Sequence, residues 1–347
     1  MQPHRPLRLK IDGASLVSNW RWLAEMSGSA ACGAAVKADG YGIDAREVVA
    51  RLAEAGCRDF FVATWAEAEA LMPWTSEASL SVLHGLAEED VSHAAASPAR
   101  PVLNTPLQVA RWREAAPERP CDVMIDTGMS RLGLSARDVS DGLLDGLRIE
   151  TLMSHLACGD EDVAMNERQR ADFTALSERV PAKRRSLSNS AGICLGRGYA
   201  FDLTRPGLAL YGGIPRPEAE GHIAQVVKVE AQVVQRRRVG ASETVGYNAT
   251  FAAEREQELA ILNIGYADGY LRGFSNTGRV RIGDRFAPVV GRVSMDLTAV
   301  CVDDAPEVRE GEWLELDFHL PSASAQSGLS QYELLTTLGS RYERSWS

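Results

Sequence analysis

The sequence predicts an α/β chain: an N-terminal (β/α)8 TIM barrel over residues 10–220, then a mostly-β C-terminal domain over 221–347 that residues 1–9 join. Three observations carry this. Eight short apolar, β-branched runs recur between residues ~30 and ~212. Amphipathic helical patterns separate most of them. After Gly213 the texture changes to strands with tight turns.

In order, the barrel strands are "CGAAVKA", "RDFFVAT", "LSVLHG", "RPVLN", "CDVMID", "IETLMSHL", "RSLSN" and "FDLTRPG". The helix "DAREVVARLAEAG" places Val48, Val49, Leu52 and Ala55 on one face and charge on the other. "TWAEAEALM", "TPLQVARWREAA" and "NERQRADFTALSERV" have the same pattern, with Thr105-Pro106 and Asn166 as helix starts. An open doubly wound sheet is the structural rival. It usually carries a Gly-rich dinucleotide loop after its first strand, and none is present. In the second domain "AQVVKVEAQVVQRRRV", "ELAILNIG", "GRVRIGDRFAPVVGRVS", "LTAVCV" and "WLELDF" are strands, Gly283-Asp284 is a turn, and "LSQYELLTTLGSRY" is helical.

A hydrophobic share of 45% and a charged share of 24% are those of a water-soluble globular protein. The net charge of -10 argues against nucleic acid and anionic membranes as partners. The six cysteines are scattered, with no Cys/His grouping at metal-ligand spacing, so neither a metal nor a disulfide framework is expected. The N-terminus lacks an apolar signal segment and no run is long enough to span a bilayer, so a cytoplasmic protein is expected.

The chain has four lysines, Lys10, Lys37, Lys183 and Lys228, and arginine supplies the rest of its positive charge. A solvated charge at Lys37 could equally be arginine. A side chain that must lose its proton and bond covalently could not, because guanidinium stays charged. In a barrel, chemistry gathers at the C-terminal strand ends. Lys37 ends the first strand, Arg131 follows the fifth and His155 ends the sixth. Asn189 and Ser190 end the seventh, and Arg205 and Gly207 follow the eighth. Each residue alone has an ordinary structural reading, as a solvated lysine, a core histidine, a helix cap or a salt-bridge partner. Together with Tyr41 they form a rim suited to a phosphorylated ligand with a lysine-reactive carbonyl, because glycines let backbone N–H groups approach an anion.

These residues lie in "VKADGYG", "DTGMSRLGL", "MSHLA", "SNSAG" and "RPGLALYGG". They are followed in order by "VGYNATF", "IGYADGY", "VGRVSMDLTAV" and "YELLTTLGSRYER". Across nearly the whole chain this series closely resembles the alanine racemase family. The resemblance implies pyridoxal 5'-phosphate as cofactor and a head-to-tail homodimer with shared active sites. It also implies L- and D-alanine as substrates, with D-alanine supplied for peptidoglycan. It implies that Lys37 holds the cofactor as a Schiff base. Tyr41, Ser190 and the backbone of Gly207 and Leu208 would grip its phosphate, and Asn189 would also bind the cofactor. Arg205 would face the pyridine nitrogen, with His155 hydrogen-bonded to it. Lys37 and the partner's Tyr247 would be the two bases, for D- and L-alanine respectively. Arg131 would orient the substrate carboxylate or the cofactor's phenolic oxygen. The partner's Met295 N–H would help hold that carboxylate, and Tyr266 would narrow the entrance. Decarboxylases of the same architecture pair the pyridine nitrogen with a carboxylate and lack the "GYNATF" tyrosine, so Arg205 and Tyr247 argue against them.

The chain departs from the family pattern at Met124, where many members carry a lysine whose carbamate positions the arginine. It also departs at Ile43-Asp44, Asn263-Ile264 and Ser340.

Overall fold

The computed structural model describes residues 3–347 and divides the chain into two units. The first comprises Leu16–Leu210 and Ile214–Ala224. The second comprises the described residues up to Ser15, Tyr211–Gly213 and Gln225–Ser347.

The first unit is the barrel. Its strands are Ala31–Cys32 continued by Ala34–Ala35, then Asp59–Val62, Ser79–Val82, Arg100–Leu103, Cys121–Met124, Ile149–Met153, Arg184–Ser186 and Leu203–Thr204. The stretch from Ala34–Ala35 to Arg184–Ser186 forms a seven-stranded parallel sheet in sequence order. The eighth strand closes it. Leu203–Thr204 pairs in parallel with Ala31–Cys32. On its other side Asp202 N–H donates to Arg185 C=O (3.0 Å) and Arg205 N–H to Ser188 C=O (2.8 Å). All eight expected strands are present.

Asp59–Val62 and Cys121–Met124 are buried along their length, as an enclosed parallel sheet requires. The helix Ala45–Ala55 buries Val48, Val49 and Leu52, each contributing roughly 1.5–3 kcal/mol. Thr105 caps the helix Pro106–Ala115 by accepting the Gln108 N–H. Asn166 does not start a helix. That helix runs from Ala164 to Ser177, and the Asn166 amide instead donates to Glu161 C=O at 2.8 Å.

A charged layer lies at the N-terminal strand ends. Arg184 forks onto Asp59 (2.7 and 3.0 Å). Arg100 Nε donates to both oxygens of Asp122 (3.2 Å each), which also accepts from Ser81 Oγ and Thr151 N–H.

The second unit is mostly β. Its sheet runs in the order Arg285–Pro288, Arg279–Ile282, Trp313–Leu316, Val227–Val239, Leu7–Ile11, Glu343–Trp346. Gln257–Leu262 also pairs with Val227–Val239, and Thr298–Cys301 pairs with Gln257–Leu262. Gly283 turns the first hairpin at φ 60°. Leu7–Ile11 alternates buried Leu7, Leu9 and Ile11 with more open positions and pairs on both edges. Residues 10–15 therefore belong with this unit, where the sequence placed the barrel's start. The later boundary falls at Ala224/Gln225 instead of 220/221. Met1 and Gln2 lie outside the described residues.

Candidate active site

The first barrel strand ends and Lys37 opens the segment Lys37–Gly42. Ala38, Asp39, Gly40 and Tyr41 there have φ of 53°, 53°, 62° and 56°, one turn of left-handed helix. For L-residues that handedness costs roughly 1–2 kcal/mol each. The turn persists because hydrogen bonds pin it. Ala38 N–H donates to Glu67 Oε1 (2.7 Å) and Ala45 N–H to Asp39 Oδ1 (3.0 Å). Gly40 N–H donates to Val36 C=O (2.9 Å). Strain so concentrated is a mark of a functional segment.

Lys37 is half-buried, and its Nζ has no hydrogen-bond partner among the described residues. Burial, then the charge of Arg131, hold its ammonium below the usual lysine range, while Glu67 opposes them. His155 is pushed down to about 3 by burial and by Arg205, Arg131 and Lys37, so its imidazole is neutral. Arg205 is buried and lowered to about 10 by desolvation, which leaves it a cation at neutral pH. Its guanidinium donates to Ser186 Oγ and to Ser154 C=O (2.6 Å). Among the described residues the expected His155–Arg205 hydrogen bond is not formed; Arg205 is held instead by acceptors at the ends of the sixth and seventh strands.

A cradle lies beside Lys37. Asn189 caps the helix Ser190–Cys194 by accepting the Gly192 N–H (2.9 Å), which sets Ser190 at its start. Ser190 Oγ, buried, accepts from Gly207 N–H (2.9 Å) and Ala209 N–H (3.2 Å). Gly207 packs so closely on buried Tyr41 that a Cβ there would lie 2.2 Å from Tyr41 Oη. Leu208 N–H has no partner among the described residues. Two hydroxyls and a cluster of N–H groups thus converge where a phosphate's oxygens could be received.

Arg131 is exposed and makes no hydrogen bond or ion pair among the described residues. Its loop is shaped by Asp126, whose Oδ1 accepts the N–H groups of Gly128 (2.8 Å), Met129 (2.9 Å) and Ser130 (3.1 Å). Met124 is buried at the end of the fifth strand, and its C=O accepts the Leu134 N–H that closes the loop.

Three expected residues lie in the β unit. Tyr266 and Met295 are brought together: Tyr266 N–H donates to Ser294 C=O and Ala267 N–H to Met295 C=O, both at 3.0 Å. Gly265 permits this, since a Cβ there would lie 2.3 Å from Met295 C=O oxygen. Met295 N–H has no partner among the described residues. Tyr247 is 64% exposed and lines a concavity of about 900 Å³ with Val245, Leu259, Val290 and Leu297.

Sequence reasoning missed several supports. Asp268 is fully buried, bonded twice to Arg341 (2.6 and 2.7 Å) and once to Gly265 N–H. It fixes the Tyr266 loop, and its acidic identity inside "GYADGY" was the available signal. Glu67 carried only the capping-box spacing of "TWAE", with no sign of its bond to Ala38, and Asp126 was legible only as part of "DTGM". Among the described residues no His, Cys, Asp and Glu cluster could hold a metal, and no helix is long and apolar enough to cross a membrane.

Comparison with known proteins agrees with this geometry. The family model described as the alanine racemase N-terminal domain matches residues 11–215, and that of the C-terminal domain matches 226–346. The chain is 40% identical to an alanine racemase of Acidiphilium cryptum, over 97% of each chain. It is 38% identical to a biosynthetic alanine racemase of Agrobacterium fabrum, over 98% of this chain and 94% of the other. Among solved structures, the Bartonella henselae alanine racemase with covalently bound pyridoxal phosphate superposes with a TM-score of 0.93 at 35% identity, covering 99% of this chain and 100% of that one. Matched in both domains and across nearly its full length, the chain belongs to the alanine racemase family.

Proposed function

We propose that this protein interconverts L- and D-alanine with pyridoxal phosphate held on Lys37. The observation that carries the reading is the left-handed turn, which sets a half-buried lysine of depressed pKa next to the Tyr41–Gly207 contact and Ser190. A neutral amine is the form that bonds a carbonyl and later takes a proton. The cradle fits the cofactor's phosphate: the hydroxyls of Tyr41 and Ser190 and the Leu208 N–H supply donors, the Gly207 N–H holds Ser190 Oγ in place, and only glycine at 207 leaves room for Tyr41. When bound, the cofactor supplies an electron-poor ring that stabilises the electron pair left when the substrate's Cα–H bond breaks.

The remaining steps belong to this chain's residues. Arg205, a cation with no carboxylate hydrogen-bonded to it, would face the ring nitrogen and deny it a proton. That moderates the ring's electron withdrawal and favours returning a proton to Cα over other reactions. Racemisation removes a proton from one face of Cα and adds one to the other, so a base is needed on each face. Lys37 Nζ would serve the D-alanine face and Tyr247 of the partner subunit the L-alanine face. Arg131 would draw in the substrate carboxylate and the partner's Met295 N–H would help hold it, while Tyr266 narrows the entrance.

A homodimer is part of this proposal. It is supported by the exposure of Tyr247, Met295 and Leu297 on the β unit, of which Tyr247 and Leu297 line a concavity of mixed polar and apolar character, a surface that suits a second copy. We place the enzyme in the cytoplasm, where free, buried thiols such as Cys57 and Cys121 are stable. Incubation with L-alanine in deuterated water tests the reading. Deuterium should enter Cα while optical rotation decays to zero; protein that leaves Cα unexchanged is no racemase.

A further inference from the structure

Glu67 is joined to the site by a bond that its local role does not require. Its Oε2 accepts the N–H groups of Ala63 (2.7 Å) and Thr64 (3.3 Å), and Thr64 Oγ accepts the Glu67 N–H. That completes a capping box at the start of the helix Trp65–Leu71. The other oxygen is left over, and it accepts the Ala38 N–H at 2.7 Å. Ala38 follows Lys37 and is the first of the four left-handed residues. One carboxylate therefore ties the second strand–helix unit to the strained turn of the first. The charged and titratable groups facing Lys37 are Arg131 from the loop after the fifth strand, His155 after the sixth and Glu67 after the second. Of these, Glu67 alone carries negative charge.

We propose that Glu67 is the positioning residue for Lys37: its two-sided carboxylate locks the left-handed turn to the second strand–helix unit and fixes where Lys37 leaves the barrel. The proposal rests on Lys37 being the lysine that holds pyridoxal phosphate. A glutamine has one acceptor oxygen, so it can serve the capping box or Ala38 but not both. An aspartate keeps the charge but is one methylene short of bridging them.

The test compares Glu67→Gln, Glu67→Asp, Thr64→Ala and Lys37→Ala as purified full-length proteins loaded with pyridoxal phosphate. The readouts are cofactor affinity, the visible absorption band and its pH titration, and thermal unfolding. Both Glu67 variants should bind the cofactor about tenfold or more weakly, since misplacement of about an ångström has effects of that order. Glu67→Gln should also shift the band's titration to lower pH, because a negative charge near a cation is lost. Thr64→Ala, which removes the other half of the capping box, should lower the unfolding temperature and leave affinity and band unchanged. Glu67 variants that match Thr64→Ala in affinity and titration overturn the proposal. Should Glu67→Gln not fold, Glu67→Asp against Thr64→Ala decides by affinity alone. Lys37→Ala separates the two levels. If it keeps the visible band, the assignment of Lys37 falls and Glu67 has nothing to position. If it loses the band while the Glu67 variants behave like Thr64→Ala, only the role of Glu67 falls.

Discussion

Gly207 and Tyr41 meet with no space between them: a Cβ on Gly207 would stand 2.2 Å from the phenolic oxygen and 2.9 Å from Cζ. Two segments far apart in sequence, the turn after the first strand and the loop after the eighth, are held at a spacing that only glycine allows. Gly207→Ala should push Tyr41 out of the cradle and weaken pyridoxal phosphate binding about tenfold or more, by loss of at least one charge-assisted hydrogen bond. Titration of cofactor-free protein followed by visible absorption checks this. Unchanged affinity would move the phosphate site away from the Tyr41–Gly207 contact.

The rim was legible because a parallel barrel maps strand ends onto one face, so Lys37, His155, Ser190 and Arg205 could be gathered by counting strands. What escaped was whatever depends on backbone conformation or on a bond between distant units. The left-handed turn at Ala38–Tyr41 has no signature in "VKADGYG", since Ala and Asp prefer the other handedness. Glu67 has the spacing of a capping box in "TWAE", but its second bond to Ala38 is set by the barrel's curvature. The acceptors that Arg205 takes, Ser186 Oγ and the Ser154 carbonyl, likewise depend on how neighbouring strand ends meet, and sequence does not rank acceptors. Residues 10–15 were misplaced because "LRLKI" is a short strand whose partners, Val227–Val239 and Glu343–Trp346, lie more than two hundred residues on.

Tyr247→Phe should lose Cα deuterium exchange from L-alanine by about two orders of magnitude or more while D-alanine still exchanges, because a general base contributes about 10²–10⁴ on the face it serves. Mixing this variant with Lys37→Ala, after dissociation and reassociation, gives a further readout. If sites are shared across a two-fold dimer, about a quarter of all sites regain both bases. No recovery of racemisation would place Lys37 and Tyr247 of one site on one chain.

His155 gives stability a slope in pH. Its folded-state value of about 3 lies below the unfolded reference of 6.5. Between those values the unfolded chain binds the extra proton, so stability is full above pH 6.5 and falls as pH drops toward 3. The slope approaches about 1.4 kcal/mol per pH unit from this group. His155→Gln should flatten the dependence of unfolding temperature on pH between 6.5 and 5, where few carboxylates titrate. An unaltered slope would mean that the imidazole is solvated.

Asp122 lies at the other end of the barrel, fully buried against Arg100. Asp122→Ala would leave Arg100 and the Thr151 N–H without their acceptor, which in buried pairs costs about 3–5 kcal/mol. The double variant with Arg100→Met should recover part of that loss, because the uncompensated charge leaves with it. Chemical denaturation of the four proteins of the cycle measures the coupling, and additive losses would show that the two side chains act independently.

Asp126 tests how Arg131 is held without a lysine at Met124. Three N–H bonds to one carboxylate oxygen shape the loop from Asp126 to Leu134, and the Arg131 guanidinium has no hydrogen bond or ion pair among the described residues. Positioning therefore comes from the backbone, where the family's lysine would act on the side chain. Asp126→Ala should release the loop and raise KM for alanine about tenfold, the scale of one charge-assisted contact. The visible spectrum should be unchanged, because Lys37 and the cradle stand on other strands. Added bicarbonate should not restore KM, since Met124 offers no amine to carbamylate. A KM equal to that of the unaltered enzyme would assign Arg131 to the cofactor and not to the substrate carboxylate.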